Sequence, residues 1–261
     1  MKSRRLLHGI TKKSWTTTGL FLILLFGLIP CSIAGSKLEK KEYFVIAIDT
    51  GHSEDSPGAI GARGTQEYIL NKKVSALLNK KLIERGFKKT YILNYGVSNI
   101  SLKHRVDTIR SSKYDVLVSI HHDSVQPVYL SSWTYQGKNR KYCDKFRGFS
   151  IFVSERNIHS RNSSILSAHI GDRLLESGFT PSLYHAELVK GEGRKLIDRE
   201  RGIFEFSDLY VLSNSHGPAI LIECGVIVNR EEEKLLIDHS YQDKLASSIA
   251  TGIDNYFKQV Q

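Results

Sequence analysis

The sequence predicts one α/β domain, a mostly parallel twisted sheet with helices on both faces, and three observations carry that reading. Short apolar runs rich in β-branched residues, such as "YFVIAID", "DVLVSI" and "PAILI", suit strands buried on both sides, as parallel strands are. Between them lie segments whose apolar residues recur at helical spacing, so the two patterns alternate from Tyr43 onward. The chain of 261 residues is long enough for a sizeable core, and no internal repeat or low-complexity tract interrupts it.

The first 34 residues stand apart from that domain. Lys2, Arg4, Arg5, Lys12 and Lys13 come without any acid, the apolar run "GLFLILLFGLIP" follows, and Ser32 and Ala34 supply small residues. That is the order of a secretory signal, with the cut expected after Ala34. The run holds 12 residues against the roughly 20 that a spanning helix needs, so no stable membrane span is expected after cleavage. Cys31 follows Pro30, which makes a poor lipid-attachment match. Residues 35–42 are short and charged and read as a linker, leaving 43–261 as the folded domain. Without the leader, 32 basic residues face 27 acids, a net charge near +5 that suits an anionic polymer but is too weak to argue for nucleic acid. Of the two remaining cysteines, Cys143 and Cys224, the second lies inside "AILIECGVIV" and reads as a buried free thiol.

The elements follow in order. A helix is expected from Glu67 to Arg85, with Ile69, Leu70, Val74, Leu77, Leu78, Leu82 and Ile83 at helical spacing and Gly86 as its stop. "KTYILNY" is a strand, and "SLKHRVDTIRSS" a helix capped by Ser101 with Leu102, Val106 and Ile109 on its inner side. "DVLVSIHHD" and "GFSIFVS" are strands. "SSILSAHIGDRLLESG" is a helix that turns Ile165, Ala168, Ile170 and Leu174 inward. "PAILIECGVIVN" is a last strand before two closing helices, "REEEKLLI" and "YQDKLASSIATGIDNYF". Two stretches break the rhythm. Residues 124–147 are aromatic and basic, residues 179–206 charged and irregular, and both are long enough to flank a groove. Within the second, Tyr184-His185-Ala186-Glu187 is polar and reads first as a solvated loop tip, with reach to the groove as the alternative.

Three strands end in polar residues: one at Gly51-His52, one at His121-His122-Asp123, one at Glu223. Ligands gather beyond the carboxyl ends of strands in an open α/β sheet, so these side chains can converge although far apart in sequence. Glu67, opening the first helix, returns to the same edge. Two imidazoles and a carboxylate form a familiar zinc set with a fourth position left for water, and a second carboxylate can move that water's proton. Taken singly, Glu67 also suits a helix N-terminus, and His121 and His122 also suit hydrogen-bonded loop positions. Glu223 is harder to place otherwise, because a carboxylate between "AILI" and "CGVIV" costs several kcal/mol or protonates unless it has a partner.

In order, "IDTGH", "GAIGARGTQE", "SIHHD" and "PAILIECGVIVNREEEKLL" resemble the zinc-dependent N-acetylmuramoyl-L-alanine amidases of bacterial cell-wall remodelling (amidase_3 type), over Phe44 to Phe257. The resemblance implies Zn2+ held by His52, Glu67 and His121, Glu223 as the catalytic carboxylate, and Asp49 orienting His52. Thr50 replaces the family's usual Pro, and His122 stands where a small residue is common; the Ser-Ile-His register points to His121 as the ligand. The implied reaction is hydrolysis of the amide between N-acetylmuramic acid and the L-alanine of the stem peptide. A zinc peptidase acting on peptidoglycan cross-links, or a wall-binding module without turnover, are the alternatives. Peptidoglycan, glycan and stem peptide alike, is the implied partner; the leader predicts export, and the small, repeat-free architecture points to the periplasm, with an extracellular or cell-envelope location as the alternatives. Some members carry a helix that blocks the site until a protein activator removes it; neither irregular stretch has the sustained period of such a helix.

Overall fold

The computed structural model describes residues 40–93 and 101–261; the expected signal segment and most of the linker lie outside them. Strands β1 (Val45–Thr50), β2 (Lys89–Ile92), β3 (Val116–Asp123), β6 (Ser150–Val153), β7 (Lys195–Asp198), β8 (Ile203–Glu205) and β9 (Ala219–Val226) form one sheet in the order β2-β1-β3-β9-β6-β8-β7. β2, β1, β3 and β9 run parallel, as do β6 and β8, while β6 meets β9 and β7 meets β8 antiparallel. The "mostly parallel" expectation therefore holds.

Helix α1 spans Glu67–Glu84, α2 Leu102–Ser111, α3 Ser160–Glu176, α4 Tyr210–Ser213, α5 Arg230–Leu236 and α6 His239–Val260. α1 ends as expected, with Gly86 at φ 96°, a conformation that favours glycine. Ser101 caps α2 by accepting from the His104 N–H. One face of the sheet, with Ile46, Ile48, Val118, Ile120, Ile220 and Ile222, packs against Val74, Leu78 and Leu82 of α1, Leu166, Ile170 and Leu174 of α3, and Ile249 and Ile253 of α6. The other face, with Ala47, Leu117, Phe152 and Leu221, is covered by Ile109 of α2 and Leu212 of α4. Helices do lie on both faces, but the two layers are unequal.

Three local expectations change. On α2 the inner side belongs to Arg105, Val106 and Ile109, and Leu102 is exposed. On α3 Leu166 is fully buried, while Ile165 and Ala168 sit only at the margin of the core. The aperiodic stretch 124–147 contains a hairpin, β4 (Ser131–Tyr135) and β5 (Lys138–Tyr142), turned by Gln136 and Gly137, both at positive φ. Its half-buried residues alternate, Trp133 and Tyr135 on one strand, Arg140 and Tyr142 on the other. Alternation over five residues is too short to stand out in a basic background. Cys143 and Cys224 are both free and buried. Among the described residues no helix is long and apolar enough to cross a membrane.

The end of β9 is fastened by a buried carboxylate on α5. Glu232 accepts from the N–H groups of Gly148 (2.8 Å) and Val226 (2.9 Å). Both donors are buried, and each costs about 1–3 kcal/mol if left unmade. Glu232→Ala is expected to lower unfolding stability by roughly 2–4 kcal/mol in urea titrations, whereas an exposed neighbour such as Glu231→Ala leaves it within about 0.5 kcal/mol.

Candidate metal centre and active site

β1 delivers the first site residue through a strained turn. After Thr50 the chain passes Gly51 and reaches His52, which holds φ at 65°, uncommon for any residue but glycine. Glycine is needed at two neighbouring positions. A Cβ on Gly51 would overlap the His121 ring, and one on Gly58 would meet the Glu67 carboxylate and the His52 ring. The Gly-rich loop thus lets the backbone close tightly around three side chains.

Those three are the expected ones. His52 Nε2 lies 3.0 Å from Glu67 Oε2, and His121 Nδ1 lies 3.0 Å from Glu67 Oε1. One donor atom from each of the three residues falls within 4.8 Å of the others. The two rings meet edge to face, 5.1 Å between centroids. Glu67 is buried, and burial alone would raise its pKa. Hydrogen bonds and charge from His121 and His52 outweigh that and hold it well below the usual carboxylate range. Two imidazole nitrogens aimed at one carboxylate, with the cleft open on one side, form a donor set that fits a divalent cation such as zinc.

The next sequence residue takes a different part. His122 is buried behind the cluster, its Nδ1 2.7 Å from Asn71 Oδ1, and burial pushes its pKa down to about 3. It is not a member of the cluster, in keeping with the Ser-Ile-His register. Asp49 meets Arg105 (2.6 Å) and Ser119 (2.7 Å). Arg105 also binds the carbonyls of Thr50 (2.5 Å) and His52 (2.8 Å). One path from Asp49 to His52 therefore runs through a buried arginine to the backbone.

Glu223 stands in register with His121 across the β3–β9 pair. It is partly buried, and its Oε2 is shielded from solvent without a hydrogen-bond partner. Burial, followed by the negative charges of Asp123, Glu67 and Glu192, raises its pKa well above the ordinary value. A carboxyl of raised proton affinity, placed next to a potential metal site, is suited to accepting a proton and passing it on. In front of the cluster, His52 and His121 border a cleft of about 380 Å³ with a polar floor at Asp49, Arg105 and Ser119 and an apolar wall at Leu102, Leu209 and Tyr210.

One expectation is overturned here. Tyr184 and His185 are buried and belong to the site edge; they are not a solvated tip. His185 Nδ1 lies 2.9 Å from Glu192 Oε2, and its Nε2 lies 2.9 Å from Asp123 Oδ2, close enough for an ion pair though off the line of a hydrogen bond. Tyr184 Oη donates to Glu192 and accepts from the Gln126 N–H. Burial alone would lower the pKa of His185, but the two carboxylates raise it to about 9. For Asp123 burial wins over the attraction, and its pKa stays above the ordinary value. The sequence holds one clue: Asp123 lies two residues past His121 in a strand, where it needs a partner. The partner itself, some 60 residues away, leaves no local pattern.

An open, mainly parallel sheet with a His-Glu-His cluster and a protonatable carboxyl at one edge is a layout suited to metal-assisted hydrolysis. Comparison with known proteins gives the family. Residues 46–255 match the family model described as N-acetylmuramoyl-L-alanine amidase, and the chain belongs to that family. It is 29% identical over 222 residues to a putative N-acetylmuramoyl-L-alanine amidase of Buchnera aphidicola from Acyrthosiphon pisum, covering 81% of this chain and 94% of that one. It is 27% identical to AmiA of Salmonella typhimurium, over 82% of this chain and 76% of AmiA. Among solved structures, the amidase Ami1 of Mycobacterium smegmatis superposes with a TM-score of 0.66 at 19% identity, over 83% of this chain and 98% of that one, and shares the fold.

The Asp123–His185–Glu192 contact has a signature in pH. His185 has a folded pKa of about 9, above its ordinary 6.5. Its contribution, on the order of 3 kcal/mol, is therefore complete below pH 6.5 and is lost as pH rises through 9. Urea unfolding from pH 6 to 10 should show wild type losing stability across that window and His185→Gln losing distinctly less. Parallel profiles would contradict a charged His185.

Proposed function

We propose that this amidase is an exported zinc enzyme that hydrolyses the peptidoglycan amide between N-acetylmuramic acid and L-alanine, with Glu223 as its proton carrier. The observation that carries the proposal is the register of Glu223 with His121, which sets a carboxyl of raised pKa beside the His52–Glu67–His121 cluster. His52, Glu67 and His121 would hold the ion, which when bound polarises the scissile carbonyl and makes a neighbouring water more acidic. The rest falls to the chain. Glu223 takes the water's proton and passes it to the leaving amine. Arg105 keeps the strained His52 turn in place. The cleft wall at Leu102, Leu209 and Tyr210 excludes water from one side of the reacting bond.

The β4–β5 hairpin is a second part of the proposal. Trp133 Nε1 donates to the Ala62 carbonyl, so the hairpin rests on the loop between His52 and Glu67. Lys138 and Lys141 are exposed on it and suit stem-peptide carboxylates, whereas the Arg140 guanidinium packs over Gly64. Reversing Lys138 and Lys141 to Glu is expected to raise KM severalfold with kcat unchanged; an unchanged KM would remove the hairpin from substrate binding.

The central test compares wild type with Glu223→Gln. Zinc content by elemental analysis should be equal, while release of free stem peptides, followed by mass spectrometry, should fall about 10²–10⁴-fold. Products cut within the peptide would favour the peptidase reading, and no zinc uptake by folded wild type would favour a wall-binding module.

A further inference from the structure

We propose that Asn71 is the positioning residue of the His52–Glu67–His121 cluster, one buried amide tying together the three chain segments that carry it. The inference rests on the metal reading given above. Asn71 lies one turn beyond Glu67 on α1 and is fully buried. Its Nδ2 donates to the carbonyl of Gly51 (3.1 Å), the residue before His52, and to Glu67 Oε1 (3.2 Å). Its Oδ1 is met by Nδ1 of His122 (2.7 Å), the residue after His121. An amide has two N–H donors and one carbonyl oxygen, and all three are engaged, each on a different arm of the site.

The contacts also settle how the amide is turned. The Gly51 carbonyl and Glu67 Oε1 can only accept from it, so a flipped Asn71 would set oxygen against oxygen at both. Oδ1 must therefore face His122, and His122 must donate from Nδ1. Glu67 Oε1 receives a further N–H from the His122 backbone (3.3 Å), which strengthens the link between α1 and β3. On the β1 side, Asn71 holds the carbonyl preceding the strained His52 and Arg105 holds the one following it, so the turn at φ 65° is clamped from both ends. A residue in that conformation persists only when its surroundings over-determine it.

Partners that orient metal ligands are typically worth 10–100-fold in affinity. The probe is zinc itself, titrated against a competing chromophoric chelator, together with the visible spectrum of the cobalt-substituted protein. Asn71→Leu keeps the branched shape and removes all three hydrogen bonds. It should bind zinc about 10–100-fold more weakly than wild type and alter the cobalt bands, with far-UV circular dichroism unchanged. Wild-type zinc affinity and an unaltered cobalt spectrum in Asn71→Leu would overturn the proposal while leaving the metal site standing. Failure of wild type to bind zinc would instead overturn the metal reading.

His122 supplies a second route should Asn71→Leu not fold. His122→Asn, whose Nδ2 falls where the ring Nδ1 lies, can still donate to Asn71 Oδ1, and His122→Leu cannot. The proposal expects the Asn variant to stay within about threefold of wild-type zinc affinity and the Leu variant to fall about tenfold. Equal affinity in the two sinks it.

Discussion

The parallel register of β1, β3 and β9 is the constraint on which the rest depends. It aligns Ile48 with Val118 and Ile220, and Asp49 with Ser119 and Leu221, before bringing His121 opposite Glu223. Residues alternate between the two faces, so the pairing that buries isoleucines under α1, α3 and α6 also turns the polar set toward the cleft. A slip of one residue would send the isoleucines to the site and the histidine to the core. Packing energy spread over a whole sheet face thereby fixes the position of a few polar atoms at the cleft.

The site concentrates acids at one sheet edge and treats each differently. Glu67 lies between two imidazoles and is held ionised. Asp123 and Glu192 share the imidazolium of His185. Among the described residues Glu223 has no cation in contact, and burial, followed by the other acids, raises its pKa. Carboxyl groups whose environments push their pKa values apart are the usual mark of divided roles, one binding and one carrying protons. The connection between α3 and β7 takes part in that division, because it supplies both His185 and Glu192.

Most of the fold was legible because its signals are local. The strands at Val45–Thr50, Val116–Asp123 and Ala219–Val226, the Gly86 stop and the Ser101 cap each rest on a few consecutive residues. The hairpin, β7 and β8 are short pieces whose pattern does not rise above a charged background. Arg105 was passed over because charge suggests solvent, although it lies next to Val106 and one turn before Ile109. Asn71 was overlooked for a similar reason: a polar residue on the inner stripe of a helix reads as a gap in the pattern, not as a link.

By itself, then, the sequence determined which residue types stand at the ends of which strands, since hydrophobic period and chain order fix both. It singled out His52, Glu67, His121 and Glu223 because polar groups at the ends of apolar runs need partners. Only the tertiary structure decided which partners they have. Asn71 joined to three arms, Arg105 placed under the His52 turn, and His185 set between Asp123 and Glu192 are contacts between segments distant in the chain. No periodicity encodes such contacts; they exist once sheet register and helix packing have brought the segments within hydrogen-bond reach.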